Sequence, residues 1–285
     1  MVYATLCPEH ALRESLADHI WKGDYIRDDQ IDSEFAAYDL LGDKSILPIW
    51  TSRGCPYSCS YCASGILNPL FIQRDPVRVY EEIVYCRRNF GTRNFVFYDD
   101  ALLYDSANRI KKLLRIIISG GERLNFYTPN GLHAKFIDEE LSSLLREAGF
   151  MDLRLSLETS DEKVQRVTGD KVSNDDIKRA VLLLKEAGFD KKDIGIYIIT
   201  GAPWIDIKKT MKDISFVNSL GAKAILASYS PIPGTKDYEL LLKNGIMEID
   251  TDPLWHNKVV FSELLRPGMV EEIKNLRRYV SKINI

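Results

Sequence analysis

Residues 55–62 read Cys55-Pro56-Tyr57-Ser58-Cys59-Ser60-Tyr61-Cys62, three thiols in one short loop. Thiolates are soft ligands that favour zinc, copper(I) or iron–sulfur clusters over oxygen-seeking cations. Structural zinc sites usually combine two short-spaced ligand pairs set well apart, and no second pair follows here. Three ligands leave a coordination position open. On a four-iron cluster, three cysteines would hold three irons and leave the fourth free to bind another molecule. Taken alone, the spacing also allows an iron–sulfur electron carrier or sensor, or a structural zinc protein.

Outward from this loop the chain alternates between two patterns. Short apolar runs at Ile46–Thr51, Asn94–Tyr98, Leu124–Thr128, Asp152–Leu157, Ile194–Thr200 and Lys223–Tyr229 predict strands. Between them, 3.6-residue periodicity predicts helices at Pro76–Phe90, Ser106–Ser119, Asp138–Ala148, Asn174–Ala187 and Asp206–Leu220. Pro76 suits a first helical turn, Asp138 and Asn174 are candidate caps, and Gly91, Gly149, Gly188 and Gly221 follow as stops. Repeated βα units predict an α/β fold with a parallel sheet and helices outside it. In such folds ligands gather at the carboxyl ends of the strands. The unusual residues fall at those ends. They are the cysteine loop, Asp99-Asp100, Pro129-Asn130-Gly131, Ser156 to Thr159, Gly201-Ala202-Pro203-Trp204 and Ser230-Pro231-Ile232-Pro233-Gly234-Thr235. Strand alternation puts Ser156 and Glu158 on one side and Leu157 on the other.

Cys-x₃-Cys-x₂-Cys with an aromatic residue, Tyr61, before the last cysteine resembles the signature of the radical S-adenosylmethionine (SAM) superfamily. The resemblance covers residues 46–235 and implies a partial, open (β/α)6 TIM-type barrel. It implies a [4Fe–4S] cluster on Cys55, Cys59 and Cys62, with SAM bound at the open iron and cleaved to methionine and a 5′-deoxyadenosyl radical. One of Asp99 and Asp100 would face the SAM ammonium, while either could serve substrate instead. Ser156 and Glu158 match the fourth-strand Ser-x-Glu pattern, with Glu158 placed for ribose hydroxyls or for orienting a basic residue. Lys171 or Arg166 would neutralise the SAM carboxylate, Lys171 lying nearer the family's usual distance. The loops at Gly201 and Pro231 would offer backbone contacts to the adenine. A reductant such as flavodoxin or ferredoxin follows from the same chemistry.

The Tyr-Asp-Asp and Ser-Pro-x-Pro-Gly-Thr strings resemble subfamilies related to cobalamin-dependent members, and residues 34–41 resemble the linker that follows their cobalamin domain. No Asp-x-His-x-x-Gly cobalamin motif occurs. The implied alternatives are chemistry without cobalamin, a separate cobalamin-binding partner, or a sequence that is part of a longer protein. Residues 1–45 read as an extension or linker, 46–235 as the barrel, and 236–285 as a helical extension with a final helix from Met269 to about Lys282.

Composition sets the outer bounds. The chain has 285 residues, 45% apolar and 28% charged, with a net charge of −3. That is ordinary globular usage without a basic field for nucleic acid. Apolar runs fall far short of the roughly 20 residues a spanning helix needs, and no signal pattern opens the chain, so a cytoplasmic location is expected. His133 and Cys86 read as structural residues, and Cys7 has no companion cysteine nearby. The tyrosines at 98, 127, 197 and 229 alternate with apolar residues, so some must face into the barrel.

Overall fold

The computed structural model describes residues 2–15, 17–22, 31–248 and 251–284. Parts of the expected 1–45 and 236–285 segments therefore lie outside the described residues. Helices α1 (Val2–Leu6) and α2 (Pro8–Ser15) precede the sheet, and the one-turn helix α3 (Ser64–Leu67) follows the cysteine loop. The strands are β1 (Ile46–Ile49), β2 (Ser52–Arg53), β3 (Ile72–Gln73), β4 (Asn94–Phe97), β5 (Asn125–Tyr127), β6 (Phe150–Glu158), β7 (Ile194–Thr200) and β8 (Lys223–Ser228). Six of them form one parallel sheet in the order β1-β4-β5-β6-β7-β8, with β1 and β8 as its outer members. The sheet is the partial, open TIM-type barrel that the sequence predicts.

Register shows why the sheet has two unlike faces. Leu47 pairs with Phe95, Phe95 with Phe126, and Leu155 with Ile196, and all five are fully buried. On that face the Phe97 ring stacks on Phe150 at 5.7 Å and lies 5.4 Å from Phe126. Helices cover it: α4 (Pro76–Phe90), α5 (Ile110–Ser119), α6 (Glu139–Ala148), α8 (Asn174–Glu186) and α9 (Ile207–Ser219). The opposite, concave face carries Pro48, Val96, Tyr127 and Asp152 in one register row and Ser156, Tyr197 and Ile225 in another. Tyr127 and Tyr197 thus face inward.

Helix ends follow the predicted chemistry with two differences. Asp75 and Asp138 cap α4 and α6, but α8 is capped by Ser173 in a reciprocal capping box with Asp176, one residue before the expected Asn174. Helix α5 starts at Ile110 instead of Ser106. The preceding turn is held open by the buried Arg109, whose guanidinium donates to the carbonyl of Tyr104 (2.8 Å) and to Thr51 Oγ1 (2.8 Å). A short helix α7 (Glu162–Thr168), capped by Asp161, and the hairpin of β2 and β3 were not anticipated. They are too brief to show a period.

At the carboxyl side, α10 (Lys236–Lys243), α11 (Lys258–Leu265) and α12 (Met269–Ile283) pack on the last strands. A second apolar cluster joins Ile199, Ala202, Tyr229, Tyr238 and Phe261. Asn284 pairs its side-chain amide with both backbone groups of Ala224, at 3.0 and 2.8 Å, which completes the edge of β8 as a further strand would. Replacing Phe126 by Ala should remove the centre of the ring stack and lower unfolding free energy by about 3–5 kcal/mol, measured by urea denaturation.

Candidate functional site

The cysteine loop leaves β1 through the β2–β3 hairpin and is held at its middle from two sides. Ser60 donates its N–H to the carbonyl of Thr168 (3.0 Å), at the end of α7, and accepts at its carbonyl from the N–H of Asp237 (3.0 Å), at the start of α10. Gly54 has φ +79°, and a Cβ there would collide with the Leu70 carbonyl oxygen. Gly169 has φ +124°, and its Cβ would stand 3.1 Å from Cys59 Cα. Both positions need glycine, one for the turn into the loop and one for the close approach behind it.

The thiols differ in setting. Burial pushes Cys55 up to about 11 and raises Cys59, although the Lys171 ammonium pulls Cys59 back. Cys62 is exposed, with its sulfur 3.3 Å from Ser64 Oγ. Lys171 Nζ lies 3.0 Å from Glu158 Oε1 and 3.5 Å from Tyr61 Oη. Burial works against the charge on Lys171, and Glu158 with the cysteine loop outweighs it, so its ammonium is held above the usual lysine range. Tyr61 is kept protonated by burial and by Glu158. Lys171, Glu158, Tyr61 and Cys59 thus form one partly buried cluster, whereas Arg166 is exposed and pairs with Glu162 at 3.9 Å.

Glu158 departs from the expected alternation. A bulge opens between Ser156 and Glu158 against β7, and Glu158 adopts φ +68°, a conformation that costs a non-glycine residue of order 1 kcal/mol. The bulge, not the pleat, aims its carboxylate at Lys171. Ser156 is buried against Gly131, where a Cβ would collide with its hydroxyl.

The paired aspartates separate. Asp99 is buried, and its carboxylate accepts from Thr51 N–H (2.9 Å), Thr51 Oγ1 (2.7 Å) and Ser52 Oγ (2.7 Å). Asp100 is half-buried and lines a cavity beside the loop. Gly201 faces the last helices, since its Cβ would meet Ile273 Cδ1 at 3.1 Å and Ser262 Oγ at 3.3 Å. Pro231 is buried, and Gly234 in the same string approaches Ile66 in the short helix just past the cysteine loop.

Trp204, named in the sequence only within a strand-end string, joins the site together with Asp237 and His133. Trp204 lies 6.3 Å from the Tyr61 ring and donates its indole N–H to the buried carboxylate of Asp237 at 2.7 Å. Nothing local in the sequence pairs these residues with Ser60. His133 is structural as expected, but its ring packs 4.4 Å from Tyr57 of the cysteine loop. Burial, with Lys171 and Lys135 nearby, pushes it down to about 3.

The sequence model of the radical SAM superfamily matches residues 50–214. The chain belongs to the radical SAM superfamily. As a member it is an enzyme, which removes the carrier, sensor and structural zinc alternatives. It is 23% identical over 201 residues to an uncharacterized methyltransferase of Pyrococcus horikoshii, covering 70% of this chain and 42% of that protein. It is 26% identical to the anaerobic magnesium-protoporphyrin IX monomethyl ester cyclase of Synechocystis sp., covering 64% and 35%. The chain spans less than half the length of these curated relatives. The fold is like that of the radical SAM methyltransferase TsrM from Kitasatospora setae, solved with tryptophan substrate and a SAM analogue, at TM-score 0.63, 19% identity and coverage of 74% and 40%. The cobalamin-dependent enzyme OxsB gives TM-score 0.63 at 14% identity, covering 88% of this chain and 46% of that one.

The family uses a [4Fe–4S] cluster and SAM, and the donors of this radical SAM chain fit a cluster. Among the described residues no three His, Cys, Asp or Glu side chains gather closely enough to hold one metal ion. A cluster takes one thiolate per iron and does not require three sulfurs to meet at a point. Among the described residues no helix is long and apolar enough to cross a membrane.

Gly54→Ala should sharply reduce the iron retained after anaerobic reconstitution, while Gly65→Ala, whose Cβ meets nothing within 4 Å, should retain it. His133 also gives a pH dependence. The unfolded residue takes up a proton below about 6.5 and the folded one only near 3, so stability falls as pH falls through that window. Urea melts at about pH 7 and about pH 5 should show His133→Gln losing this dependence, which amounts to at most about 1.4 kcal/mol per pH unit.

Proposed function

We propose that Cys55, Cys59 and Cys62 hold a [4Fe–4S] cluster and that the enzyme cleaves SAM to methionine and a 5′-deoxyadenosyl radical, which acts on an organic small molecule. The observation that carries this reading is the Glu158–Lys171 ion pair at 3.0 Å, set against Tyr61 and Cys59 at the carboxyl end of the sheet. When bound, the cluster supplies the electron that breaks the S–C5′ bond of SAM.

The protein's own residues position and shield. Lys171 is a buried cation with donors to spare beyond its bond to Glu158, suited to the SAM carboxylate. Glu158 has a second oxygen to accept from ribose hydroxyls. Tyr61 and Trp204 form an aromatic wall beside them. Ser156 and the backbone near Gly201 and Pro231 belong to the same reading as ribose and adenine contacts. The Ser60 clasp keeps Cys59 and Cys62 in place as the site fills. A flavodoxin or ferredoxin is the proposed electron source. The methyltransferase and cyclase relatives support hydrogen abstraction or methylation-type chemistry, and the cobalamin-dependent neighbour supports a separate cobalamin-binding partner as an auxiliary.

Anaerobically reconstituted protein given SAM and dithionite should release 5′-deoxyadenosine and methionine, measured by liquid chromatography. Release that persists in the Cys55→Ala, Cys59→Ala, Cys62→Ala triple variant, or that is absent from the iron-loaded parent, would sink the assignment. Lys171→Met should raise the SAM concentration for half-maximal release by about tenfold or more, the loss of one charge-assisted hydrogen bond of about 1.5–3 kcal/mol.

A further inference from the structure

The ion pair that carries the functional reading is built on strained backbone at both of its members. Among the described residues three non-glycines have positive φ, and two of them are Glu158 (+68°) and Asp170 (+49°), the residue before Lys171. A side chain with a Cβ stays in that region only where its surroundings fix it. At the exit of β6 those surroundings are side chains from three helices. Asp213, in the middle of α9, accepts the Ser160 N–H (2.7 Å) and the Ser160 hydroxyl (2.5 Å) on one carboxylate oxygen. Asn174, the first residue of α8, donates its amide to the Ser160 carbonyl at 2.9 Å. Gln165 of α7 donates to the Thr159 carbonyl at 2.8 Å and to Asn174 Oδ1 at 3.0 Å. Both backbone groups of Ser160 and the carbonyl of Thr159 are thus taken by side chains, in the two residues directly after Glu158.

The same groups reach the other member of the pair. The Gln165 carbonyl accepts from the Asp170 N–H at 2.8 Å, and Lys171 lies shortly before Asn174 in the chain. The turn that carries Lys171 is therefore fastened at both ends to residues that grip the exit of β6. Asp213 stands out in this set because it is 1% exposed. Burying a carboxylate is costly unless hydrogen bonds offset it, and those of Asp213 are made to the strand exit, not to its own helix. Lys209, one turn earlier on α9, adds a second tie at 2.9 Å to Asp161.

We propose that Asp213, together with Gln165 and Asn174, is a positioning residue for SAM: it fixes the backbone of Glu158 and so holds the Glu158–Lys171 pair in the geometry that receives the cofactor. The proposal deepens the radical SAM reading and rests on it for the identity of the ligand. Without the Asp213 carboxylate the Ser160 N–H loses its acceptor, and Glu158 relaxes toward the extended backbone that strands favour. Its carboxylate then follows the pleat and leaves Lys171.

Amide hydrogen exchange of the full chain, followed by mass spectrometry, tests the clamp without cluster or SAM. Asp213→Ala should speed exchange by about tenfold or more in the peptides holding Ser160 and Lys171, while peptides of β1 and β4 keep the parent rate. In the reconstituted protein the same variant should raise the SAM concentration for half-maximal release of 5′-deoxyadenosine by about fivefold or more, with maximal rate and bound iron within about twofold of the parent. Asp213→Asn, which keeps an acceptor for Ser160, should restore both readouts. Added to Lys171→Met, Asp213→Ala should have no further effect, because the pair through which it acts is already broken. Unchanged exchange at both peptides, exchange raised throughout the sheet, unchanged half-saturation, no recovery in Asp213→Asn, or effects that multiply in the double variant would each overturn the proposal. Where Asp213→Ala does not fold, Gln165→Leu, which removes the bonds to Thr159 and Asn174, is held to the same outcomes. Release from the parent with unchanged half-saturation in the variants rejects the positioning role and keeps the radical reading. Absence of release from the iron-loaded parent with the expected exchange pattern rejects the radical reading and keeps the clamp on Glu158.

Discussion

A carboxylate removed from water must find its hydrogen bonds inside the protein, and Asp99 finds them all on the two residues that leave the first strand. Thr51 gives its backbone N–H and its hydroxyl, and Ser52 gives its hydroxyl. Arg109 completes the arrangement, 3.7 Å from Asp99 and bonded to Thr51. The direction in which the chain departs toward the cysteines is therefore set by groups outside the cysteine loop. The same constraint divides the work of two adjacent aspartates. One is consumed in holding the loop's root, while the other sits half-buried beside the cysteine loop, hydrogen-bonded to Ser64.

From that root the loop is positioned by backbone contacts more than by side chains. Ser60 is held through its N–H and its carbonyl, the two groups no substitution at that residue except proline can alter. The thiols on either side of it are then free to be chosen for ligation alone. Burial raises the cost of ionising Cys59, and Lys171 lowers it again, so a bound metal, which displaces the proton, meets a thiol already prepared for it. Asp237 serves twice, through its backbone to Ser60 and through its carboxylate to Trp204, and so ties the wall beside Tyr61 to the loop that carries it.

Much of this was legible in the sequence because it obeys a period. Six strands announce themselves as short apolar runs, five helices by a 3.6-residue period, and the three cysteines by spacing. Lys171 was singled out by its distance after Glu158, and in the structure the two form an ion pair. What was illegible lacks a local signal. The bulge at Glu158 breaks the very alternation used to read it, and a positive φ at a glutamate has no residue-type signature. The two-residue strands that frame the cysteine loop are shorter than any period. Asp237 and Trp204 reach Ser60 and Tyr61 only after the last strands have folded back over the first loop.

The concave face shows why binding concentrates where it does. Along the strands its polar groups are engaged with one another. Asn125 donates to Asn94 at 2.9 Å, Arg154 binds Asp152 and the Tyr197 hydroxyl, and that hydroxyl donates to the Pro129 carbonyl at 2.7 Å. A ligand lying there would have to replace bonds already made, at little net gain. Past the strand ends this mutual satisfaction stops. The Lys171–Glu158 pair retains unused donors and acceptors. Unmatched hydrogen-bonding capacity is what a polar ligand can exploit, and in this fold it is gathered beside the cysteine loop.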